Sequence, residues 1–242
     1  MAAKPGTETP AVERRRLTER MLRLDRIIDS KLVTRWKTGA DSGLGARHLA
    51  RPDSRALTII GAGEVAGSLA EVYSALFPAL DRIRIWNRTA ENAQRLVQGL
   101  AAQGIAAEVA PDLAEAVAQA DIVASATMSR QPILRGEWLR PGTHVDLVGA
   151  FRADMREADD AALQRSRIFV DSFDTTLAHI GELRDPLARG VIARADVLGD
   201  LADLVAGRPG RRSPDEITLF KNGGGAHLDL IVGRAILAAW RG

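Results

Sequence analysis

Cysteine is absent from the 242-residue sequence, which excludes disulfide bonds, thiolate metal sites and a cysteine nucleophile. Aromatic residues make up 4% of the chain and the formal net charge is +2, so aromatic rings do not interleave with basic clusters as they do in nucleic-acid-binding proteins. No apolar run approaches the roughly 18 residues needed to cross a bilayer, and the polar start lacks the apolar core of a signal peptide. We therefore expect a cytoplasmic protein that binds neither nucleic acid nor a membrane.

A glycine turn carries the strongest functional signal. An apolar, β-branched run at residues 56–60 predicts a strand that ends at Gly61, and a helical pattern begins after Gly63. With Ala66, these glycines fit the pattern G-x-G-x-x-(G/A), which allows a tight turn, close approach of a pyrophosphate and helix–strand packing. Backbone N–H groups at the start of such a helix bind phosphate. We therefore predict cofactor contacts from Gly61, Ala62, Gly63, Glu64, Val65 and Ala66.

From residue 55 onward, strand patterns alternate with helix patterns. Such alternation with short connections is typical of a parallel sheet covered by helices on both faces. We therefore predict an α/β fold, a Rossmann-like doubly wound parallel sheet. The predicted strands lie near residues 56–60, 82–86, 106–109, 121–125, 143–148, 167–170 and 216–220. The predicted helices lie at 38–49, 64–77, 89–103, 111–119, about 156–164 and 231–240.

The end of the second predicted strand indicates which nucleotide is bound. In NAD enzymes an Asp or Glu at this place accepts hydrogen bonds from the ribose 2′-hydroxyl. Here Asn87 is neutral, Arg88 offers a fork for a 2′-phosphate, and Thr89 adds a hydroxyl donor. We predict cofactor contacts from all three residues and a preference for NADPH, with NADH as the alternative. A solvated surface Arg88 beside a helix start is the competing interpretation.

The fourth predicted strand ends in small residues followed by Thr127 and Met128. In a doubly wound sheet the carboxyl ends of the strands face the ligand crevice. Small residues there let a cofactor lie against the backbone, and the Thr127 hydroxyl can donate a hydrogen bond. We therefore add both residues to the predicted cofactor site; a strand that simply ends in turn residues is an equally good interpretation.

Several further motifs follow one another along the chain. They are Trp-Lys-Thr-Gly-Ala-Asp-Ser at 36–42, Gly-Ala-Gly at 61–63, Trp-Asn-Arg-Thr at 86–89, His-Val-Asp-Leu-Val-Gly-Ala at 144–150, His-Ile-Gly-Glu-Leu at 179–183 and Asp-Glu-Ile-Thr-Leu-Phe-Lys at 215–221. In this order they resemble the ornithine cyclodeaminase/mu-crystallin family of nicotinamide-dependent enzymes. The resemblance implies a Rossmann domain joined to a substrate and dimerisation domain, which is built from the N-terminal third and the last helix.

The resemblance also implies a reaction class. Family members pass a hydride between nicotinamide and a carbon that bears an amine or imine, and the protein mainly positions the reactants. Cyclodeaminases carry an Asp shortly after the Val-Gly of the 144–150 motif, whereas this sequence has Ala150-Phe151. The ending at 221–229 resembles the branch that reduces pyrroline-2-carboxylate. We therefore predict an NAD(P)H-dependent ketimine reductase that gives a cyclic amino acid such as proline; an ornithine cyclodeaminase and a truncated, non-catalytic NADP-binding protein are the alternatives.

The resemblance divides the chain into four segments. Residues 1–12 are an expected disordered tail, and residues 13–53 are a reduced part of the substrate and dimerisation domain, because family members carry a longer segment before the 36–42 motif. The 13–32 part predicts a charged helix, with a strand at 26–29 as the alternative. Residues 54–205 are the predicted dinucleotide-binding domain. Residues 206–242 are a C-terminal segment that returns to the substrate region, where a homodimer would form.

Two residues are candidates for binding an imino or amino acid substrate. Lys37 occupies the place where the family has a basic residue that contacts the substrate carboxylate, and Arg35 is a weaker candidate for the same contact. His227 lies in a glycine-rich turn beside Lys221 and Asn222, where the backbone can approach the nicotinamide or the substrate. A surface lysine and a helix N-terminus are the competing interpretations.

The remaining polar candidates have simpler structural interpretations. His144 opens a strand and His179 lies in a helical region, and we expect both to be structural rather than catalytic. Asp171, Ser172 and Asp174 precede or begin a predicted helix, where such residues act as caps. No H-E-x-x-H or other metal-ligand spacing occurs, so we expect no metal. The sequence names no catalytic residue.

Overall fold

The computed structural model describes residues 28–208 and 210–241 of the chain. The predictions for the tail at 1–12 and for the charged helix or strand before residue 28 lie outside the described residues. The helices are α1 (Ser30–Leu49), α2 (Glu64–Leu76), α3 (Ala90–Ala101), α4 (Leu113–Ala118), α5 (Asp160–Gln164), α6 (Phe173–Thr176), α7 (Gly181–Ala188), α8 (Leu201–Val205) and α9 (Ala226–Arg241). The strands are β1 (Ala56–Ile60), β2 (Arg82–Trp86), β3 (Glu108–Val109), β4 (Ile122–Ser125), β5 (His144–Leu147), β6 (Ser166–Val170), β7 (Val197–Asp200) and β8 (Ile217–Lys221).

The eight described strands form one parallel sheet in the order β3-β2-β1-β4-β5-β8-β6-β7. Strands β1 and β4 are neighbours, and the chain leaves them toward opposite edges of the sheet. A crevice therefore opens at the carboxyl ends of β1 and β4, the usual ligand position in such sheets. The predicted Rossmann-like doubly wound fold is confirmed.

The sheet is buried on both faces, as a parallel sheet requires. Apolar side chains of α2, β1 and β2 form one core cluster, and those of β4, β5, β6 and β8 dominate another. Thr58 interrupts the apolar run of β1 but is satisfied, because its hydroxyl donates to the carbonyl oxygen of Ala116 at 2.9 Å. The buried, apolar residues of β1, β2 and β4 explain why these strands could be placed from the sequence.

Helix α1 packs closely on α2 and β8 through its glycines. A Cβ atom on Gly39 would lie 2.6 Å from Ser68 Oγ, and one on Gly45 would lie 2.8 Å from the ring of Phe220. The small residues predicted to favour close packing at 38–49 therefore make these contacts, although the helix begins earlier, at Ser30.

The structure corrects three predicted boundaries and adds one strand. Strand β7 was not predicted, because its four residues include a glycine and an aspartate. Strand β8 lies between β5 and β6, so the sheet extends past the domain boundary predicted at residue 205. The helix predicted at about 156–164 begins only at Asp160, which leaves Glu157 in an extended segment. Helix α9 begins at Ala226 instead of 231.

Candidate cofactor and substrate site

The glycine turn after β1 passes directly beneath the segment that follows β4. Gly61 has φ +116°, a conformation that other residues disfavour, and a Cβ there would lie 2.5 Å from the carbonyl oxygen of Ala126. A Cβ on Gly63, the N-cap of α2, would meet nothing within 4 Å. Ala66 is fully buried in the core. A dinucleotide pyrophosphate fits this tight turn, with its open helix N-terminus and close packing. Ala62 lies in the turn, and Glu64 and Val65 begin α2.

A cavity of about 540 Å³ lies between the segments that follow β2 and β4. It brings together five residues predicted to contact the cofactor: Asn87, Arg88, Thr89, Thr127 and Met128. Asn87 Nδ2 donates to the carbonyl oxygen of Thr89 at 2.9 Å, which fixes the turn. Arg88 is exposed and makes no hydrogen bond or ion pair with any described residue. Its guanidinium is therefore available to an anionic ligand in the cavity.

A buried carboxylate, that of Glu157, joins the loops that follow β4 and β5. Its Oε1 accepts hydrogen bonds from Ser125 Oγ at 2.6 Å and from the backbone N–H and hydroxyl of Thr127 at 2.8 and 2.9 Å. Its Oε2 accepts from the backbone N–H groups of Gly149 at 2.6 Å and Ala150 at 3.1 Å. The Thr127 hydroxyl therefore has its hydrogen committed to Glu157, and toward the crevice it can act as an acceptor.

A second buried carboxylate, Glu182 in α7, holds the first one in place. It accepts from the backbone N–H of Glu157 at 2.6 Å and of Ala158 at 3.0 Å. Burial, followed by the negative charge of Glu157, raises the pKa of Glu182 to about 7, while the nearby Lys221 ammonium opposes the shift. Glu182 thus fixes the backbone of Glu157, and the side chain of Glu157 fixes the two loops at the crevice edge.

Lys221 ends β8 as a fully buried cation. Its Nζ donates to the carbonyl oxygens of Leu147 at 2.8 Å and Asn222 at 2.6 Å, and burial lowers its pKa. Asn222 Nδ2 in turn donates to Ser42 Oγ at 3.0 Å and to the carbonyl of Thr38 at 3.3 Å. The motif after β8 therefore ties the sheet edge to α1.

Asp171 fixes the glycine-rich turn at 222–225 from the side of β6. Its carboxylate accepts from the backbone N–H groups of Ser172 at 2.7 Å and Gly223 at 2.9 Å, and from Thr176 Oγ1 at 2.6 Å. Ser172 is the N-cap of α6 but makes no side-chain cap bond, and Asp174 lies exposed in its first turn. The expected side-chain cap of α6 is therefore not formed, and Asp171 instead joins the start of α6 to the glycine-rich turn.

The two predicted substrate-binding residues lie on α1 and α9. The Lys37 ammonium is mostly buried and forms an ion pair with Asp229 of α9 at 2.7 Å, so it already faces a carboxylate. His227 lies in the first turn of α9 and not in the turn before it, which is a correction to the sequence prediction. Arg35 pairs with Glu71 of α2 at 2.5 Å and is therefore engaged away from Lys37.

Two acidic side chains in this region are buried. Asp41 is 4% exposed, and neither carboxylate oxygen has a hydrogen-bond partner among the described residues. Burial, with the charges of Asp171 and Asp146 adding to it, raises the pKa of Asp41 to about 8. Burial also raises the pKa of Asp146 to about 7, although Ser42 and Tyr73 donate hydrogen bonds to it. Asp41 is therefore mostly protonated at pH 7, and Asp146 titrates near that pH.

His144, one of the two histidines expected to be structural, lies at the end of the sheet opposite the crevice. His144 is buried at the amino end of β5, with Nδ1 2.9 Å from Thr218 Oγ1, and burial lowers its pKa to about 3. His179 is exposed in the turn between α6 and α7. Among the described residues, no group of three or more His, Asp or Glu could hold a metal ion. No described helix is both long and apolar enough to cross a membrane.

Sequence reasoning missed the buried charged residues that shape this site. Asp146 and Lys221 had a signal, because each is a charge in an otherwise apolar strand pattern. Asp41 lies in the motif at 36–42 and Glu182 in the motif at 179–183, but the burial of each depends on how its helix packs. Glu157 had no local signal, since an isolated Glu in a polar segment is usually a surface residue.

Comparison with known proteins gives a consistent family. The model of the ornithine cyclodeaminase/mu-crystallin family matches residues 24–242. The Delta(1)-pyrroline-2-carboxylate reductase of Paracoccus denitrificans is 59% identical over 225 residues, which cover 91% of this chain and 70% of that protein. The chain spans about two thirds of the length of the curated relatives it matches, between 64% and 70% for three of them.

Solved structures show the same fold. Delta(1)-pyrroline-2-carboxylate reductase of Thermococcus litoralis, in complex with NADH and L-proline, has a TM-score of 0.81 at 33% identity and matches 84% of this chain and 63% of that one. An archaeal alanine dehydrogenase dimer with bound NAD has a TM-score of 0.79 at 31% identity and matches 84% of this chain and 62% of that one.

The role of Glu157 can be tested by Glu157→Gln. The amide NH2 group must face at least one backbone N–H donor, so at least one of the five hydrogen bonds is lost and the others lose a charged acceptor. A hydrogen bond to a charged group is worth about 1.5–3 kcal/mol. We expect a lower free energy of unfolding in urea and at least tenfold weaker NADPH binding by fluorescence titration. Ser125→Ala, which removes one bond, should fall between this variant and the wild type.

A matched control is Glu137→Gln, because Glu137 is two-thirds exposed and pairs only loosely with Arg135. This variant should have the same free energy of unfolding and the same NADPH affinity as the wild type. If Glu157→Gln does not fold, Ser125→Ala still tests the positioning role of Glu157. An NADPH affinity of Ser125→Ala equal to that of the wild type would contradict that role.

The buried Asp41 should make stability depend on pH. The unfolded carboxyl ionises near pH 3.8 and the folded one near pH 8, so the native state holds the extra proton between these values. Stability contributed by this group therefore falls as pH rises, by at most about 1.4 kcal/mol per pH unit. Asp41→Asn should remove that slope between pH 5 and 8, as measured by urea unfolding at each pH. For Asp174→Asn, at an exposed site, the free energy of unfolding should change with pH as it does in the wild type. The same pH dependence in Asp41→Asn would contradict the raised pKa of Asp41.

Proposed function

Because the chain belongs to the ornithine cyclodeaminase/mu-crystallin family, we propose that it reduces a cyclic imine of the pyrroline-2-carboxylate type with a nicotinamide nucleotide. The product would be a cyclic amino acid such as proline. The observation that carries the proposal is the crevice itself. A glycine turn and a cavity suited to a nucleotide lie there, and Ala150 and Phe151 occupy the place where a cyclodeaminase needs a carboxylate. The 59% identity to a protein described as a pyrroline-2-carboxylate reductase supports the substrate class.

The nucleotide would be held by the turn at 61–66 and by the cavity beside it. Backbone N–H groups at the start of α2 would bind the pyrophosphate, and Asn87, Arg88 and Thr89 would surround the ribose, with Thr127 and Met128 across the cavity. The unpaired Arg88 and the absence of an acidic residue at 87 favour NADPH over NADH. When bound, the nicotinamide supplies the hydride that reduces the C=N bond.

The chain itself contributes rigid positioning at the crevice. Glu157 fixes the backbone of Thr127 and of Gly149, on opposite sides of the gap between β4 and β5. A Cβ on Gly149 would lie 2.0 Å from the carbonyl oxygen of Thr127, so the two loops touch. Reactants that rest on such a fixed surface need less reorganisation to reach the reacting geometry.

The charge pattern around α1 suits an anionic substrate. The Lys37 ammonium would bind the substrate carboxylate as a point charge, in competition with Asp229. Because Asp41, one helical turn away, stays protonated near neutral pH, it does not add a negative charge that would repel that carboxylate. His227, in the first turn of α9, is the proposed second contact.

The structure favours a reductase over an ornithine cyclodeaminase. A cyclodeaminase needs a base to deprotonate the amine, but Ala150 and Phe151 cannot ionise. Glu157 contacts the backbone of Ala150, yet its two oxygens already accept five hydrogen bonds that hold the loops in place. Reduction of a preformed imine requires no such base.

We also propose that the protein acts as a homodimer in the cytoplasm. Large apolar side chains are exposed on α1 and α9: Trp36 at 47%, Leu230 at 62%, Ile231 at 59% and Trp240 at 87%. Exposed apolar patches of this kind mark association surfaces. The archaeal alanine dehydrogenase with the same fold was solved as a dimer, which supports this proposal.

The activity can be tested by following NADPH absorbance with pyrroline-2-carboxylate. We expect substrate-dependent loss of NADPH and formation of proline, and no release of ammonia from ornithine. A sample that is folded and binds NADPH, but turns over neither compound, would contradict the proposal and favour a non-catalytic nucleotide-binding protein. Ammonia release from ornithine would instead favour the cyclodeaminase.

The cofactor preference can be tested with Arg88→Ala. Loss of a hydrogen bond to a charged group costs about 1.5–3 kcal/mol, which corresponds to roughly 10- to 150-fold in affinity. We expect the Kd for NADPH to rise by that factor and the Kd for NADH to change little. Arg82→Ala, which removes an exposed arginine from the other end of β2, is the control. An equal loss for both nucleotides would contradict contact with the 2′-phosphate.

A further inference from the structure

A second polar cavity, of about 790 Å³, lies at the opposite end of the sheet from the glycine turn. Its walls are the C-terminal end of α1, the turn at 50–53, the end of α2 and the segment at 211–214. Arg51 in its wall contacts Asp121, which precedes β4, and Arg211 contacts Thr143, which precedes β5. The cavity therefore borders the amino ends of strands whose carboxyl ends border the nucleotide crevice.

The cavity wall carries an excess of positive charge. Four arginines and His48 line it, against one carboxylate, that of Asp53. The arginines are Arg47, Arg51, Arg211 and Arg212. Asp53 is 78% exposed and lies 3.4 Å from Arg51 Nε, so it cannot balance the remaining charges.

Arg211 is a partly buried cation without a carboxylate partner. Its guanidinium donates to backbone carbonyls, including those of Leu49 at 2.8 Å and Glu216, and to Thr218 Oγ1 at 3.0 Å. Burial and then the positive charge of Arg51 lower its pKa. The charges of Glu216 and Asp53 oppose this shift. The hydrogen bonds fix the position of the guanidinium, which adds its positive charge to the cavity wall.

Arg51 is held by two carboxylates. Its Nη2 pairs with Asp121 at 2.6 Å, a carboxylate that Arg140 shares at 2.5 Å. Its buried Nε lies 3.4 Å from the exposed Asp53 as an ion pair without a hydrogen bond. Arg47 and Arg212 are exposed at the cavity mouth and form no ion pair with any described residue.

We propose that this cavity binds an anionic ligand that carries a phosphate group, separately from the nucleotide crevice. Guanidinium groups match phosphate oxygens in pairs. Arg47 and Arg212 are unpaired at the cavity mouth, and the partly buried Arg51 and Arg211 add positive charge to the wall. The dipole of α1 explains a preference for cations at the helix C-terminus, where Arg47 and His48 lie and where Arg211 Nε donates to the carbonyl of Leu49. The side chain of Arg212 makes no such contact with any described residue, and it lies on another segment. The proposal does not depend on the reductase activity.

The test is calorimetric titration of the full chain with inorganic pyrophosphate at constant ionic strength, with NADPH in excess to fill the nucleotide crevice. We expect binding to the wild type and at least tenfold weaker binding to Arg47→Ala/Arg212→Ala, whose side chains are exposed and do not support the fold. NADPH affinity should be the same in both proteins, which shows that the variant is folded and that the two sites are distinct.

A double variant of equal charge, Arg82→Ala/Arg184→Ala, controls for net charge, because both residues are exposed elsewhere on the surface. It should bind pyrophosphate like the wild type. No binding to the wild type, displacement by NADPH, or equal weakening in the two double variants would each overturn the proposal.

Discussion

The ligand crevice depends on one buried carboxylate. Parallel strands end with unpaired backbone groups, and the loops that leave β4 and β5 run side by side without a shared ladder of hydrogen bonds. Glu157 joins the two loops instead, because its two oxygens accept hydrogen bonds from both. Charge-assisted hydrogen bonds are stronger than neutral ones, so a single side chain can fix two segments. The cost of burying its charge is offset by these donors.

The same kind of contact recurs along this edge of the sheet, where buried charged side chains form hydrogen bonds with backbone groups. Glu182 binds the N–H groups of Glu157 and Ala158, Lys221 binds two carbonyls, and Asp171 binds the N–H of Gly223. Backbone groups that a loop leaves unpaired are thereby satisfied without water. The edge stays rigid while its outer surface stays free for ligands.

Local patterns in the sequence were sufficient for seven of the eight described strands, for the glycine turn, and for placing Asn87, Arg88 and Thr127 at the ends of neighbouring strands, where they line one cavity. Each of these depends on neighbours in the chain: β-branched runs for the strands, Gly61 for a positive φ, and Arg88 directly after a strand end. Residues that act across the fold could not be predicted in this way. Glu157 meets Ser125 and Gly149 only after three segments are brought together, and β7 is too short and polar to stand out. The ends of α9 and of the domain also depend on tertiary packing, which the sequence pattern does not record.

The position of β8 has a consequence for how the molecule is made. In the described sheet β8 alone hydrogen-bonds to both β5 and β6, so it joins a five-stranded portion to the pair β6 and β7. Its residues, 217–221, follow those of every other strand in the described sheet. During synthesis the facing edges of the two portions therefore stay unpaired until β8 has emerged from the ribosome. An unpaired edge invites pairing with other chains, so misassembly is favoured in the interval before β8 emerges.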